Sequence, residues 1–171
     1  FKFLITMCRV GFGGEATICE GSKSYTLYKL FSDFHNPKPM GDNKEKKIIE
    51  LFNRQIDYSV KPLSTISVND MIVGYEMINE LDLESTKLCL LSKKELLYFL
   101  KETKRILEYF SKKGIIYGDV EPRNILFNNE SGRIVFCDMD NTQIDDLPMD
   151  LLHTSLTDYN LSRGIDEGVH S

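Results

Sequence analysis

The chain has 171 residues, 42% of them hydrophobic, enough apolar material for a buried core and roughly one domain. Its 21 basic and 26 acidic residues are well mixed and leave a net charge of -5, with no basic block or arm of the kind that tracks nucleic acid. Cys8, Cys19, Cys89 and Cys137 are scattered without a CxxC pair. Neither a zinc cluster nor a disulfide framework is expected, and a reducing, cytoplasmic setting is. The apolar runs fall far short of a membrane span, and no charged-then-apolar leader opens the chain. It begins with Phe1 rather than Met, which is expected of a trimmed piece of a longer protein.

The first third is predicted to be strands. FKFLITMCRV is apolar and β-branched, a glycine cluster follows, and EATICE and SYTLYKLF alternate on either side of a GSK turn. FHNPKPMGDN, with two prolines and a glycine, is a loop. Asp42 and Glu45 stand in a capping-box pattern, and Ile48, Ile49, Phe52 and Ile56 recur at helical spacing after them. ISVND then turns into MIVGYEMI as a strand pair. The second half opens with a long helix that has Ser92 and Glu95 as its capping box. Leu96, Leu100, Thr103, Leu107 and Phe110 form its predicted inner face, and Gly114 its stop. ILF, the turn NNESG and RIVF read as a hairpin. The segment from Asp145 to Ser171 has too little periodicity for an assignment.

Chemistry-bearing residues cluster at three places. In RVGFGGEATI, Gly11, Gly13 and Ala16 fill a G-x-G-x-x-G pattern and Ile18 follows; glycines there let a backbone approach phosphate oxygens, though a plain hairpin turn uses them equally well. Lys29 interrupts the apolar alternation of YTLYKLF, and an inward lysine requires a counter-charge. Glu45, one helical turn before Ile48 and Ile49, is placed to supply it, with Glu50 as the competitor. In YGDVEPRNILFNNESGRIVFCDMD, Asp119 and Asn124 share a proline-containing loop and Asp138 ends an apolar strand. A loop carboxylate suits a base, and Asn124 with Asp138 forms a hard-oxygen pair suited to magnesium.

Together these stretches resemble the protein-kinase superfamily, in order and over nearly the whole chain. VGFGGEATI is similar to its glycine-rich loop, YKLF to the strand bearing its ATP lysine, and KEKKIIELF to the helix bearing the glutamate partner. YEMI is similar to its hinge, GDVEPRNILF to its catalytic loop, and FCDMDN to its metal loop. The pairing of GDVxPRN with an Asp-x-Asp-Asn metal loop resembles that of atypical bacterial kinase-like proteins. The resemblance implies an α+β, bilobal fold: an antiparallel-sheet N-lobe over residues 1–79 and a reduced, mainly helical C-lobe over 80–171. It implies that ATP and Mg²⁺ bind between the lobes and that the γ-phosphate passes to a hydroxyl, that of a protein before that of a metabolite. Gly11, Gly13, Gly14, Ile18 and the backbone of Glu76 and Ile78 would then bind ATP, Lys29 oriented by Glu45 would hold its phosphates, Asp119 would act as base, and Asn124 and Asp138 would hold Mg²⁺.

Several positions depart from the family pattern. Tyr117 stands where His is usual, Gly118 replaces the Arg that meets a phosphorylated activation loop, Glu121 stands where a Lys steadies the γ-phosphate, and Asp140 replaces the Gly of the metal loop. No Ala-Pro-Glu landmark follows. These departures support an alternative, a non-catalytic kinase-like module that binds nucleotide or a partner protein. Gly118 before the loop aspartate also fits a small-molecule phosphotransferase, but the chain has no room for the large helical substrate insert. A rival from another class is the haloacid-dehalogenase-type phosphatase, whose Asp-x-Asp-x-Thr opening VFCDMDNT resembles. Asp138 would then be the nucleophile, Asp140 the acid/base and Thr142 a helper; the residues after Thr142, however, contain no lysine, which that family requires. His35, His153 and His170 fall in predicted loop or tail segments and are expected to be solvated.

Overall fold

The computed structural model describes residues 9–12, 16–31, 40–80, 82–85 and 87–149. Gly13, Gly14 and the three histidines lie outside them, as does most of the segment after Asp145. The described fold is mixed α/β, with an antiparallel five-stranded sheet and two α-helices among the described residues.

In chain order the sheet strands are β1 (Arg9–Phe12), β2 (Thr17–Glu20), β3 (Thr26–Leu30), β4 (Pro62–Val68) and β5 (Met71–Ile78). Their spatial order is β1-β2-β3-β5-β4, so β5 returns between β3 and β4. The β4–β5 hairpin turns on Asn69 and Asp70, both at positive φ (50° and 64°). Asn and Asp tolerate that conformation better than most residues, and two such residues in succession match the right-handed twist of the flanking strands. Gly74 brings β5 unusually close to β3: a Cβ there would lie 2.2 Å from the carbonyl oxygen of Lys29.

Helix α1 (Asp42–Arg54) lies between β3 and β4 in sequence. Its N-cap is Gly41, with no side-chain cap, so the expected Asp42–Glu45 capping box does not form. The main-chain carbonyl of Gly41 instead accepts from the amides of Lys44 and Glu45. The buried face is also rotated from the expected one. Lys47, Ile48 and Leu51 are buried, whereas Ile49 and Phe52 are exposed. The helix ends at Gln55 in the left-handed conformation, so Ile56 is buried beyond it.

The second half begins with β6 (Glu84–Ser85) and the long helix α2 (Lys93–Lys112), followed by β7 (Ile115–Ile116), β8 (Ile125–Phe127), β9 (Ile134–Phe136) and β10 (Gln143–Ile144). The Ser92–Glu95 capping box forms as expected, both reciprocal hydrogen bonds being present. The inner face of α2 is Phe99, Thr103, Ile106 and Phe110, while Leu100 faces solvent. The helix stops before Gly114, at φ +74°, as its sequence position predicts. Strands β6, β8 and β9 form one small sheet and β7 with β10 another.

Two apolar clusters result. The larger packs α2 against the small sheets around Phe110, Ile115, Tyr117 and Phe136; the smaller joins Met40, Ile48 and Tyr75. Helix α1 serves both, through Leu51 and Ile48 respectively. The segment after α1 also pairs with β9: Phe136 N–H donates to the Tyr58 carbonyl at 2.8 Å, and Val60 N–H to the Phe136 carbonyl at 2.9 Å. Strand β9 is therefore held from both sides, by β8 and by Tyr58–Val60. No helix among the described residues is long and apolar enough to cross a membrane.

Candidate functional site

One cross-strand row organises the sheet side of the site. Gly11 on β1 pairs with Ile18 on β2, Ile18 with Lys29 on β3, and Lys29 with Tyr75 on β5. Directly opposed residues in an antiparallel ladder share a face, so Ile18, Lys29 and Tyr75 lie side by side. Lys29 is buried, as its break in the alternation predicts, and an inward ammonium must find anions. It finds two. Its Nζ donates to Asp138 Oδ1 at 3.0 Å and to Asp140 Oδ1 at 2.7 Å. Tyr75 Oη donates to that same Asp140 oxygen at 2.8 Å.

Asp140 is wholly buried, and its other oxygen faces the Lys44 ammonium at 3.6 Å. The local backbone explains how two carboxylates so close in sequence meet one lysine. Asp138 takes the left-handed conformation at φ 54°, and a 3-10 turn, Met139–Asn141, curls the chain back so that Asp140 points under it. Asp138 stays at the surface, its side chain 42% exposed.

The loop carrying Asp119 and Asn124 is fixed to the same strand end. Asn124 Nδ2 donates to Asp119 Oδ2 at 2.7 Å and to the Asp119 carbonyl at 3.2 Å. Cys137 N–H donates to the Asn124 carbonyl at 2.8 Å, and Tyr117 Oη to the Cys137 carbonyl at 2.7 Å. Tyr117, at the position where His was the family expectation, thus ties the strand leading into Asp119 to the residue before Asp138. Arg123 pairs with Glu121 at 2.5 Å within the same loop.

The electrostatics follow from this packing. Burial alone would push the Lys29 ammonium down, but Asp140 above all, with Tyr75 and Asp138, holds it well above its ordinary value. Burial likewise pushes the Asp140 carboxyl up, and the charges of Lys29 and Lys44 outweigh that, leaving it below the usual carboxylate range. Tyr75 is raised well above its ordinary value, first by burial and then by the charge of Asp140. Burial, with Asp138 beside it, pushes the Cys137 thiol up to about 12. Lys29 and Asp140 are both charged at neutral pH, and Tyr75 is neutral.

The structure thus sets Gly11, Ile18 and Lys29 in one cross-strand row, brings Lys29 to Asp138, and separately links Asp119 to Asn124 and Asn124 to the strand end before Asp138. It corrects two expectations. Glu45 is not the counter-ion of Lys29: the ammonium is paired with Asp138 and Asp140. The reason is the rotation of α1, since Lys44 rather than Glu45 is in line with the buried Lys47, Ile48 and Leu51. Glu50, the competitor, pairs with Arg54 on its own helix. Nor is the main chain of Glu76 open to a ligand. Residue 76 is flanked by Tyr28 on one side and Ser64 on the other, and its carboxylate accepts from Ser22 and Ser64. Ile78 is paired on the β3 side alone, through Thr26. Sequence reasoning missed Lys44 as a site residue, took Tyr75 only as part of the hinge, and gave Asp140 a role only in the phosphatase rival. The available signal was the inward lysine itself, which has to draw counter-charge from whichever element reaches it.

A magnesium site is testable against these donors. Among the described residues no three His, Cys, Asp or Glu side chains surround one point, so an all-protein cage is absent there. Mg²⁺ asks for less: it keeps several waters and takes one or two carboxylates beside phosphate oxygens. The half-exposed Asp138 carboxylate and the amide oxygen of Asn124 fit that demand. Asp119 Oδ1 is a buried acceptor with no hydrogen-bond partner among the described residues. Comparison with protein-family models and with curated proteins finds no match for this chain.

Proposed function

We propose that this chain is a protein-kinase-like phosphotransferase that binds ATP with Mg²⁺ between a strand-rich part, residues 1–79, and a helix-led part, residues 80–171, and passes the γ-phosphate to a protein hydroxyl. One observation carries the proposal: the Lys29 ammonium from β3 meets the Asp138 carboxylate at 3.0 Å across 109 residues of sequence. Phosphoryl transfer needs positioning and charge neutralisation above all, and this pair provides a cation and a metal-ligand carboxylate at one point.

In this reading Lys29 neutralises phosphate oxygens, while Gly11 and Ile18, in its cross-strand row, bound the nucleotide. Asp119, held through its Oδ2 by Asn124, receives the proton of the attacking hydroxyl. Asn124 and Asp138 would hold Mg²⁺, which when bound neutralises charge on the phosphates.

The phosphatase rival loses its acid/base and its helper. Asp140 is wholly buried against Lys29 and Tyr75, and buried Thr142 donates its hydroxyl to the Met139 carbonyl. The test is Mg²⁺-dependent γ-phosphate transfer from ATP by the wild type beside Lys29→Met and Asp119→Asn. Each substitution is expected to cut the rate on the order of a hundredfold or more. ATP binding without turnover in the wild type would move the assignment to a non-catalytic nucleotide-binding module, and phosphomonoester cleavage without ATP to a phosphatase.

A further inference from the structure

Asp140, not a helix glutamate, has the geometry to hold Lys29 in place. Three features of the carboxylate make this specific. It is wholly buried, it accepts from Lys29 at 2.7 Å and from Tyr75 at 2.8 Å through one oxygen, and it faces Lys44 of α1 at 3.6 Å through the other. Tyr75 is itself the cross-strand neighbour of Lys29, so the phenol and the ammonium reach the carboxylate from adjacent strands. Lys29 and Lys44 both lie over the Phe31 ring, at 5.2 Å and 4.6 Å, which gives the two cations a shared apolar wall.

We propose that Asp140 is the positioning residue for Lys29, taking the part that the resemblance gave to Glu45, and that α1 is coupled to the site with inverted polarity through Lys44. The inference rests on the phosphotransferase reading. Its consequence is that the lysine's anchor and the metal-ligand carboxylate Asp138 belong to one short turn and are set by one backbone. Asp138 shares the ammonium but is half-exposed and available to a metal; Asp140 is wholly buried, and its task is to hold.

Two measurements on the same variants test this. In unfolding titrations without nucleotide, Lys29→Met and Asp140→Asn are expected to be non-additive, the double variant unfolding at a midpoint close to that of the worse single variant. Lys29→Met and Glu45→Gln should add. In calorimetric titration with MgATP, Asp140→Asn is expected to weaken binding by about tenfold or more and the milder Tyr75→Phe by about threefold, with Glu45→Gln losing clearly less than Asp140→Asn. Tyr75→Phe keeps the experiment decisive if Asp140→Asn does not fold. Equal or greater loss in Glu45→Gln than in Asp140→Asn, full additivity of Lys29→Met with Asp140→Asn, or unchanged affinity in a folded Tyr75→Phe would each overturn the assignment. Wild-type protein that fails to bind MgATP while the unfolding coupling persists overturns the phosphotransferase reading instead, and leaves the Lys29–Asp140 pairing standing.

Discussion

At Gly74 the close approach of two strands and the placement of Lys29 are one feature, because the atom a side chain would strike is the Lys29 carbonyl oxygen, 2.2 Å away. A main-chain oxygen cannot swing aside as a side-chain tip can. Gly74→Ala is therefore expected to destabilise the fold by about 1–3 kcal/mol, read from chemical denaturation, and to disturb Lys29 with it. The charges around that lysine set a pH dependence with a definite sign. Asp140 lies below its ordinary value when folded, so its contribution is complete above about pH 4 and is lost as pH falls through the lower folded value. Lys29 lies above its ordinary value, so its contribution is complete below about pH 10 and is lost as pH rises through the higher folded value. Between those limits the two together should give a flat stability profile. Asp140→Asn should cost about 3 kcal/mol on that plateau, because it leaves a buried ammonium with half its counter-charge. The difference from wild type should shrink as pH drops well below 4, where wild-type Asp140 takes up its own proton.

The two helices differ in how far their sequences disclosed them. The start of α2 was legible because a capping box is local: Ser92 and Glu95 satisfy each other's backbone amides whatever else the chain does. Glu95 also accepts from Asn129, and these hydrogen bonds hold its carboxyl below the usual range. Glu95→Gln keeps the box but removes the charge. It should melt at a lower temperature than the wild type at pH 7, and the two should converge as pH falls through the folded value of Glu95, below about 4.5. The faces of the helices were less legible. In α1, counting apolar residues selected Ile48, Ile49 and Phe52, whereas the buried side includes Lys47 and turns Lys44 toward Asp140. Long lysine stems cover apolar surface as aliphatic residues do, so hydropathy misassigned the side by about one residue and placed Glu45 where Lys44 belongs. In α2 the same counting chose Leu96, Leu100 and Leu107 over Phe99 and Ile106. Only Thr103 and Phe110 were common to both, since several leucines offered competing stripes.

For the whole molecule, the order of the main elements and the longer strands were readable from period, turns and glycines, because those are properties of short segments, whereas the two-residue strands β6, β7 and β10 were not expected. The meeting of Lys29 with Asp138 could be anticipated only through the family resemblance, and the meeting with Asp140 not at all. That contact depends on the left-handed turn at Asp138 and on how α1 rolls against the sheet, and neither is written in a local pattern. What ties the distant segments together is β9. Its Phe136 amide and carbonyl are both spent on Tyr58 and Val60, while Ile134–Phe136 pairs with β8 on the other side and the following amide, at Cys137, is spent on Asn124. Deuterium should therefore enter the amides of Val60, Phe136 and Cys137 last and at closely matched rates, since none can open without releasing the others. A faster exchange at Cys137 alone, followed by NMR or mass spectrometry, would mean that the tip bearing Asp138 breathes apart from its strand. The tripled backbone attachment instead predicts that this acidic tip rides with the most slowly opening part of the chain, so that a bound cation would meet a rigid seat rather than a hinged one.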